Sequence, residues 1–289
     1  MSRPLLAVDT PSLLFRAFYA LPDSIKGPDG RPVNALLGTA NLILREVEVH
    51  RPRAVVLCFG PDAASYRTEL YPAYHAEREA AMPDDLSPQF AASRNFFEAF
   101  GWTVATSDSL EADDLLGTYA RREAEAGGEA LLMTGDRDMY QCAGERVTVL
   151  YVRTGGAKGA EAVGPAEVRE RYGIEPELVP DFIALRGDPS DGLPGAKGVG
   201  PKTAAELLRR HGSLEEVLDK AIREPRPKLR GALLEARDEL LAFKDIATLR
   251  DAGVKPPPDG PTDWNGAAAA AREHGMNRLA ERLKGMAGG

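Results

Sequence analysis

The chain reads as an α/β protein: a mostly parallel central sheet flanked by helices, with a helical C-terminal region. Three observations predict it. Short apolar runs recur at 5–9 (LLAVD), 54–59 (AVVLCF), 102–106 (WTVAT), 130–134 (ALLMT) and 147–151 (VTVLY), the length of buried strands. Helical segments separate most of them, the alternation of a parallel sheet with helices on its faces. After RYGIEPELVPDFIALRGD strand signals become sparse.

At 289 residues and 43% hydrophobic composition the chain can bury a substantial core. The division expected is an α/β core over 1–180 and a helical region over 181–289. The segment 65–94 mixes Tyr66, Tyr71 and Tyr74 with Arg67, His75 and Arg78 ahead of the proline-bearing MPDDLSP, and reads as a helical excursion from the sheet. PKTAAELLRRHGSLEEVLDKAI has helical apolar spacing, broken by Gly-Ser after His211. VKPPPDGPTDW is a proline-rich, extended connection, and GAAAAAREHGMNRLAERL is a final helix or pair of helices. There is no internal repeat.

Composition narrows the function classes. No apolar run approaches the roughly 20 residues that span a bilayer, and MSRPLLAVDT offers a short strand rather than a cleavable leader. The expected location is the cytoplasm. Cys58 and Cys142 lack metal-ligand spacing and read as reduced thiols without chemistry. The net charge of -8 counts against a uniformly basic, DNA-coating protein. It does not count against nucleic acid as such, because acids gathered around cations leave nearby lysines and arginines free to attract a phosphodiester backbone.

Acids cluster where strands end, the edge at which α/β sheets present ligand sites. Asp9 closes the first run, Glu111, Asp113 and Asp114 lie in SLEADDLL at a helix start, and Asp136 and Asp138 follow ALLMT in GDRD. Acids in a first helical turn also stabilise the helix dipole, so SLEADD alone is structural. Recurrence changes the reading: acidic groups at successive strand ends repel one another unless divalent ions lie between them. Oxygen donors without a Cys or His cluster favour Mg²⁺ or Mn²⁺ over zinc.

In RGDPSDGLPGAKGVGPKTAAELL, Asp188 and Asp191 precede a glycine-rich turn. Gly198 and Gly200 permit close backbone approach, Pro201 suits the first position of a helix, and Lys197 and Lys202 add charge. The free amides of that helix start can face a phosphate. Mononucleotide binding is disfavoured, because Pro201 separates Gly200 from Lys202 and breaks the GxxxxGK[ST] spacing. The turn reads instead as a clamp on a DNA backbone.

VDTPSLLFRAFYAL, YRTELYPAYHAER, EADDLLGTYA, TGDRDMYQ and RGDPSDGLPGAKGVGPKTAAELL, in this order, resemble the bacterial 5′-3′ exonuclease and flap endonuclease family, including the domain at the front of DNA polymerase I. The resemblance covers nearly the whole chain. It implies a PIN-like nuclease core, a helical arch over about 65–95, and a helix-hairpin-helix element. It implies that Asp9, Glu111 and Asp113 hold a first metal region, with Asp114 a close acidic neighbour. Asp136, Asp138, Asp188 and Asp191 would form a second region.

By the same resemblance Arg16 lies near the scissile phosphate, Tyr74 and Arg78 fall in the arch beside Arg67, and the Gly198 to Thr203 turn holds duplex DNA and K⁺. The implied activity is hydrolysis at 5′ ends and flaps, in Okazaki-fragment processing and repair. The implied partners are flapped, nicked or gapped DNA and RNA-primer ends, with a separate polymerase and ligase and a monomeric protein. Two departures matter. The family's acid after the strand phenylalanine is Gly60 here, with Asp62 either reaching back or lying solvated in the turn. His75 stands where the arch supplies lysine, so phosphate attraction is expected to strengthen when the ring is protonated. The alternative is a structure-specific DNA-binding protein that cleaves weakly or not at all.

Overall fold

The computed structural model describes residues 3–76, 82–153 and 159–288. Its strands are β1 Leu5–Asp9, β2 Ala54–Phe59, β3 Thr103–Thr106, β4 Ala130–Thr134, β5 Val147–Tyr151 and β6 Glu161–Val163. They form one sheet in the order β3-β2-β1-β4-β5-β6, parallel except for β6, which pairs antiparallel with β5. The five apolar runs are strands to within one residue. Sequence reading misses β6, because three residues at a sheet edge carry too little pattern to register.

The helices in chain order are α1 Thr10–Ala20, α2 Asn34–His50, α3 Ser65–Leu70, α4 Ser87–Glu98, α5 Ala112–Glu125, α6 Pro165–Tyr172, α7 Val179–Arg186, α8 Pro201–His211, α9 Leu214–Asp219, α10 Pro227–Glu235, α11 Arg237–Ala247, α12 Trp264–Glu273 and α13 Asn277–Ala287. None among the described residues is long and apolar enough to cross a membrane. Strand side chains alternate between two buried clusters. Leu5, Ala7, Val56, Cys58 and Leu132 pack with α5 to α11, whereas Leu6, Val8, Leu57 and Met133 pack with α1, α2, α4, α12 and α13. Both faces are covered, which is why the strands read as continuous apolar runs.

The region expected over 181–289 therefore divides. Helices α7 to α11 lie on one face, while Leu279 and Leu283 of α13 pack in the opposite layer with Phe96, Phe97 and Trp102. The extended 249–263 segment crosses between them. Gly260 N donates to Arg53 O at 2.8 Å, and Trp102 Nε1 donates to Thr262 Oγ1 at 3.0 Å. Strand order reverses about β1, so the carboxyl ends of β1, β2 and β4 open onto one crevice. Asp9 is in register with Cys58, and Val8 with Met133, so all three ends reach the same edge.

Candidate active site

At that edge lies a cavity of about 1230 Å³, lined by Asp9, Glu111, Asp113, Asp136, Asp138, Asp188 and Asp191 together with Arg16 and Arg186. Asp9 ends β1 and also caps α1, accepting from Ser12 N at 3.2 Å. The hydroxyl of buried Thr134 donates to Asp9 Oδ2 at 2.7 Å and accepts from Asp136 N at 2.9 Å. Thr134 thus fixes two acids at once. Asp136 Oδ1 accepts from Asp138 N at 2.9 Å. Asp188 is held by Ser190 N at 2.9 Å and by Arg186 Nη2 at 2.9 Å, in a turn closed by paired backbone bonds between residues 188 and 193. Thr134 and Arg186 escaped the sequence reading; the only signal for either was adjacency to a candidate acid.

The acids raise one another's proton affinity. Burial, then repulsion from Asp9, Asp136 and Glu111, holds Asp113 well above the usual carboxylate range. Burial and the charges of Asp136, Asp191 and Asp188 do the same to Asp138. Asp136 is pushed up to about 6 by burial and by Asp191. Asp9 is raised by burial, against the opposing Thr134 hydrogen bond. Among the described residues no three acidic, His or Cys side chains stand close enough to enclose one ion as they are; they line a shared cavity.

The head of α5 corrects part of the expected set. Glu111 and Asp114 form a reciprocal capping box, with Glu111 N donating to Asp114 Oδ2 at 3.1 Å. Asp114 is fully buried and faces away from the cavity, accepting from Arg250 N at 2.7 Å and Arg67 Nη2 at 3.2 Å. It is bonded behind the cavity wall rather than among the residues that line it. Arg67 also turns inward, 3% exposed, pairing with Glu111 Oε2 at 2.5 Å and donating to Ile246 O at 3.0 Å. Burial alone would lower its proton affinity, but Glu111 and Asp114 raise it above the ordinary arginine range. Arg67 is thus no exposed DNA contact. Glu111 further accepts from Ala64 N at 2.8 Å and Tyr74 OH at 3.2 Å, so it meets the cavity already bonded.

Tyr74 and His75, expected on an arch, are buried against the body, their rings stacked 4.0 Å apart. The His75 Nδ1 donates to Asp62 O at 2.7 Å, and its Nε2 faces Asp191 Oδ1 at 3.2 Å. The imidazole braces the cavity wall and does not stand free as a replacement for lysine. Arg78 lies outside the described residues. Arg16 lies across the cavity and donates to Gly135 O.

Gly60, where the sequence resemblance led to the expectation of an acid, lines the cavity. A Cβ built there would lie 2.4 Å from Leu110 O and 2.7 Å from Ala112 N, so the backbone at the head of α5 occupies the room a side chain needs. Asp62 sits at the rim with its side chain 71% exposed, the solvated turn position. At the glycine-rich turn, Lys197, Gly198, Gly200 and Lys202 are exposed and Thr203 is half-buried. Gly198 adopts φ +79°, left-handed backbone that favours glycine. Gly200 caps α8 without a capping side chain and Pro201 opens the helix, leaving its first amides outward. Leu193, Ala196 and Val199 anchor the turn in the core.

A parallel sheet with carboxylates gathered at its switch point, an arginine among them and a helical hairpin beside them, is the architecture of a phosphodiester hydrolase. Residues 4–173 match the 5′-3′ exonuclease N-terminal resolvase-like domain, and residues 174–257 match the 5′-3′ exonuclease C-terminal SAM fold. The chain belongs to the 5′-3′ exonuclease family and is a nuclease of that family. It is 38% identical to a 5′-3′ exonuclease of Mycobacterium tuberculosis, over 90% of this chain and 86% of that one. It is likewise 38% identical to a 5′-3′ exonuclease of Streptomyces coelicolor, over 96% and 98%. Its fold matches the bacteriophage T5 D15 flap endonuclease, solved with DNA and metal ions, with TM-score 0.69 at 18% identity over 99% of this chain and 100% of that one.

Proposed function

We propose that this chain hydrolyses DNA phosphodiesters at 5′ ends and at the base of 5′ flaps, leaving a 5′-phosphate, using Mg²⁺ or Mn²⁺. The convergence of Asp9, Glu111, Asp113, Asp136, Asp138, Asp188 and Asp191 on one cavity beside Arg16 carries this reading. The donor set fits hard divalent ions, being all oxygen, anionic and self-repelling. Asp9, Asp113, Asp136, Asp138, Asp188 and Asp191 would hold them, with Glu111 contributing from its bonded position. Such ions lower the pKa of an attacking water and stabilise charge on the attacking and leaving oxygens.

The chain's own groups do the rest. Arg16 draws the scissile phosphate toward the acids, Thr134 keeps Asp9 and Asp136 in fixed orientation, and Arg186 balances Asp188. Lys197, Lys202, Thr203 and the exposed amides of α8 grip duplex phosphates without reading bases, and the Gly198 to Thr203 turn would hold K⁺. Arg78 guides the 5′ strand. The substrates are flapped, nicked or gapped DNA and RNA-primer ends, met in the cytoplasm by a monomer working beside a separate polymerase and ligase in replication and repair.

A second reading, DNA binding with little cleavage, is favoured by one observation: Gly60 has no room for the acid that the sequence resemblance implies there. A labelled 5′-flap duplex with Mg²⁺ or Mn²⁺ decides between them. Cleavage abolished by chelator and by Asp136→Ala supports the nuclease mechanism; cleavage surviving either control overturns it, and tight binding without cleavage selects the second reading.

A further inference from the structure

We propose that Tyr19 is a stacking platform for an unpaired nucleobase of the strand entering the acid cavity, a subsite that rests on the nuclease reading above. Ser12, Phe15, Arg16 and Tyr19 recur at helical spacing along α1, and all four line the cavity. This face begins at the Ser12 amide bonded to Asp9 and ends at the cavity mouth with Tyr19. Tyr19 is 71% exposed, more than any other large hydrophobic side chain among the described residues. Solitary exposed aromatics are ordinary on a protein surface. This one is placed: its ring meets Phe18 edge-to-face, with centroids 5.2 Å apart at 82°. Met82, Pro83 and Phe90 extend the apolar wall of the same cavity.

The occupant follows from what adjoins the ring. Arg16 lies three residues back, about one helical turn or ~5 Å along the axis, close enough for one nucleotide to place its phosphate at the guanidinium and its base at the tyrosine. An apolar peptide or lipid would meet the acids and Arg16 with no matching charge. A single strand alternates anionic and flat apolar groups and satisfies both. Base-aromatic stacking tolerates any sequence, since every base presents a π-face.

The test measures binding in an Asp136→Ala background, so that cleavage does not intervene, using 5′-flap duplexes whose flap nucleotides are either intact or abasic. Tyr19→Ala and Tyr19→Leu are expected to weaken binding of the intact flap about tenfold, to leave the abasic flap unchanged, and to be rescued by Tyr19→Trp. Equal weakening on both flaps, or no weakening on the intact flap, overturns the stacking role, while cleavage of the intact flap by the wild-type protein with Mg²⁺ keeps the nuclease reading. A parent protein that binds flapped and blunt duplex equally poorly overturns both.

Discussion

The two ends of the acid cavity carry similar charge and compensate it differently. At the head of α5, Glu111 and Asp114 are neutralised from within by Arg67, Tyr74 and backbone amides reaching from residues 64 and 250. At the other end Asp136 and Asp138 face mainly more carboxylates, and Arg186 pairs with Asp188 and only partly offsets Asp138. The first arrangement is compensated from within the fold. The second is a set of charges assembled against their own repulsion, which protons or divalent cations relieve. EADD, uniform as a sequence, thus divides by environment: Asp114 is bonded behind the wall, Glu111 lines the cavity already bonded, and Asp113 faces other carboxylates there.

Breaking the first arrangement carries the largest expected effect. Arg67→Met leaves Glu111 and Asp114 buried without their cation, and stability in denaturant titration is expected to fall by about 3–5 kcal/mol. A loss below about 1 kcal/mol would mean the backbone amides suffice. Gly60→Asp forces a side chain into the backbone at the head of α5. It is expected to destabilise by about 1–3 kcal/mol without tightening Mn²⁺ binding in calorimetry. A stable variant with tighter binding would show that the edge of β2 yields.

The other end responds to pH. Asp136 moves from an ordinary 3.8 to about 6 in the folded chain, so the fold binds protons more tightly than the unfolded chain does. In chelator, that contribution is complete below about pH 4 and is lost as pH rises through about 6. Thermal melting in chelator should therefore weaken between pH 4 and 7. Asp136→Asn, which mimics the protonated group, should recover up to about 3 kcal/mol at pH 7 and little at pH 4. A wild-type and variant difference independent of pH would rule out repulsion as the cause. The smallest effect belongs to the glycine-rich turn: Lys202→Ala should weaken duplex binding uniformly across sequences and lower the salt slope of log affinity by about one unit.

The legible part of the fold was local. Five strands were readable because four to six adjacent apolar residues are pattern enough, and the acids after them were readable because strand ends in such sheets face ligands. The break at Gly212, φ +94°, and the cap at Ser213 were likewise written in neighbouring residues. Less legible was which polar residues meet. Arg67, Tyr74 and His75 look like solvent-facing cations and aromatics in YRTELYPAYHAER, yet each is buried by partners distant in sequence, Ile246, Glu111 and Asp191 among them. No spacing rule within the segment encodes those encounters.

By itself, then, the sequence determined the layer architecture, the edge at which the acids collect and the backbone chemistry of the Gly198 turn, because periodicity, strand length and glycine act over a few residues. Only the tertiary structure decided that Asp113 faces the cavity while Asp114 faces Arg67, that α12 and α13 return to the opposite layer, and that Gly60 is glycine because another backbone fills its side-chain space. Those outcomes depend on which surfaces meet when the sheet is wrapped, and steric exclusion and charge pairing act there across separations of up to about two hundred residues.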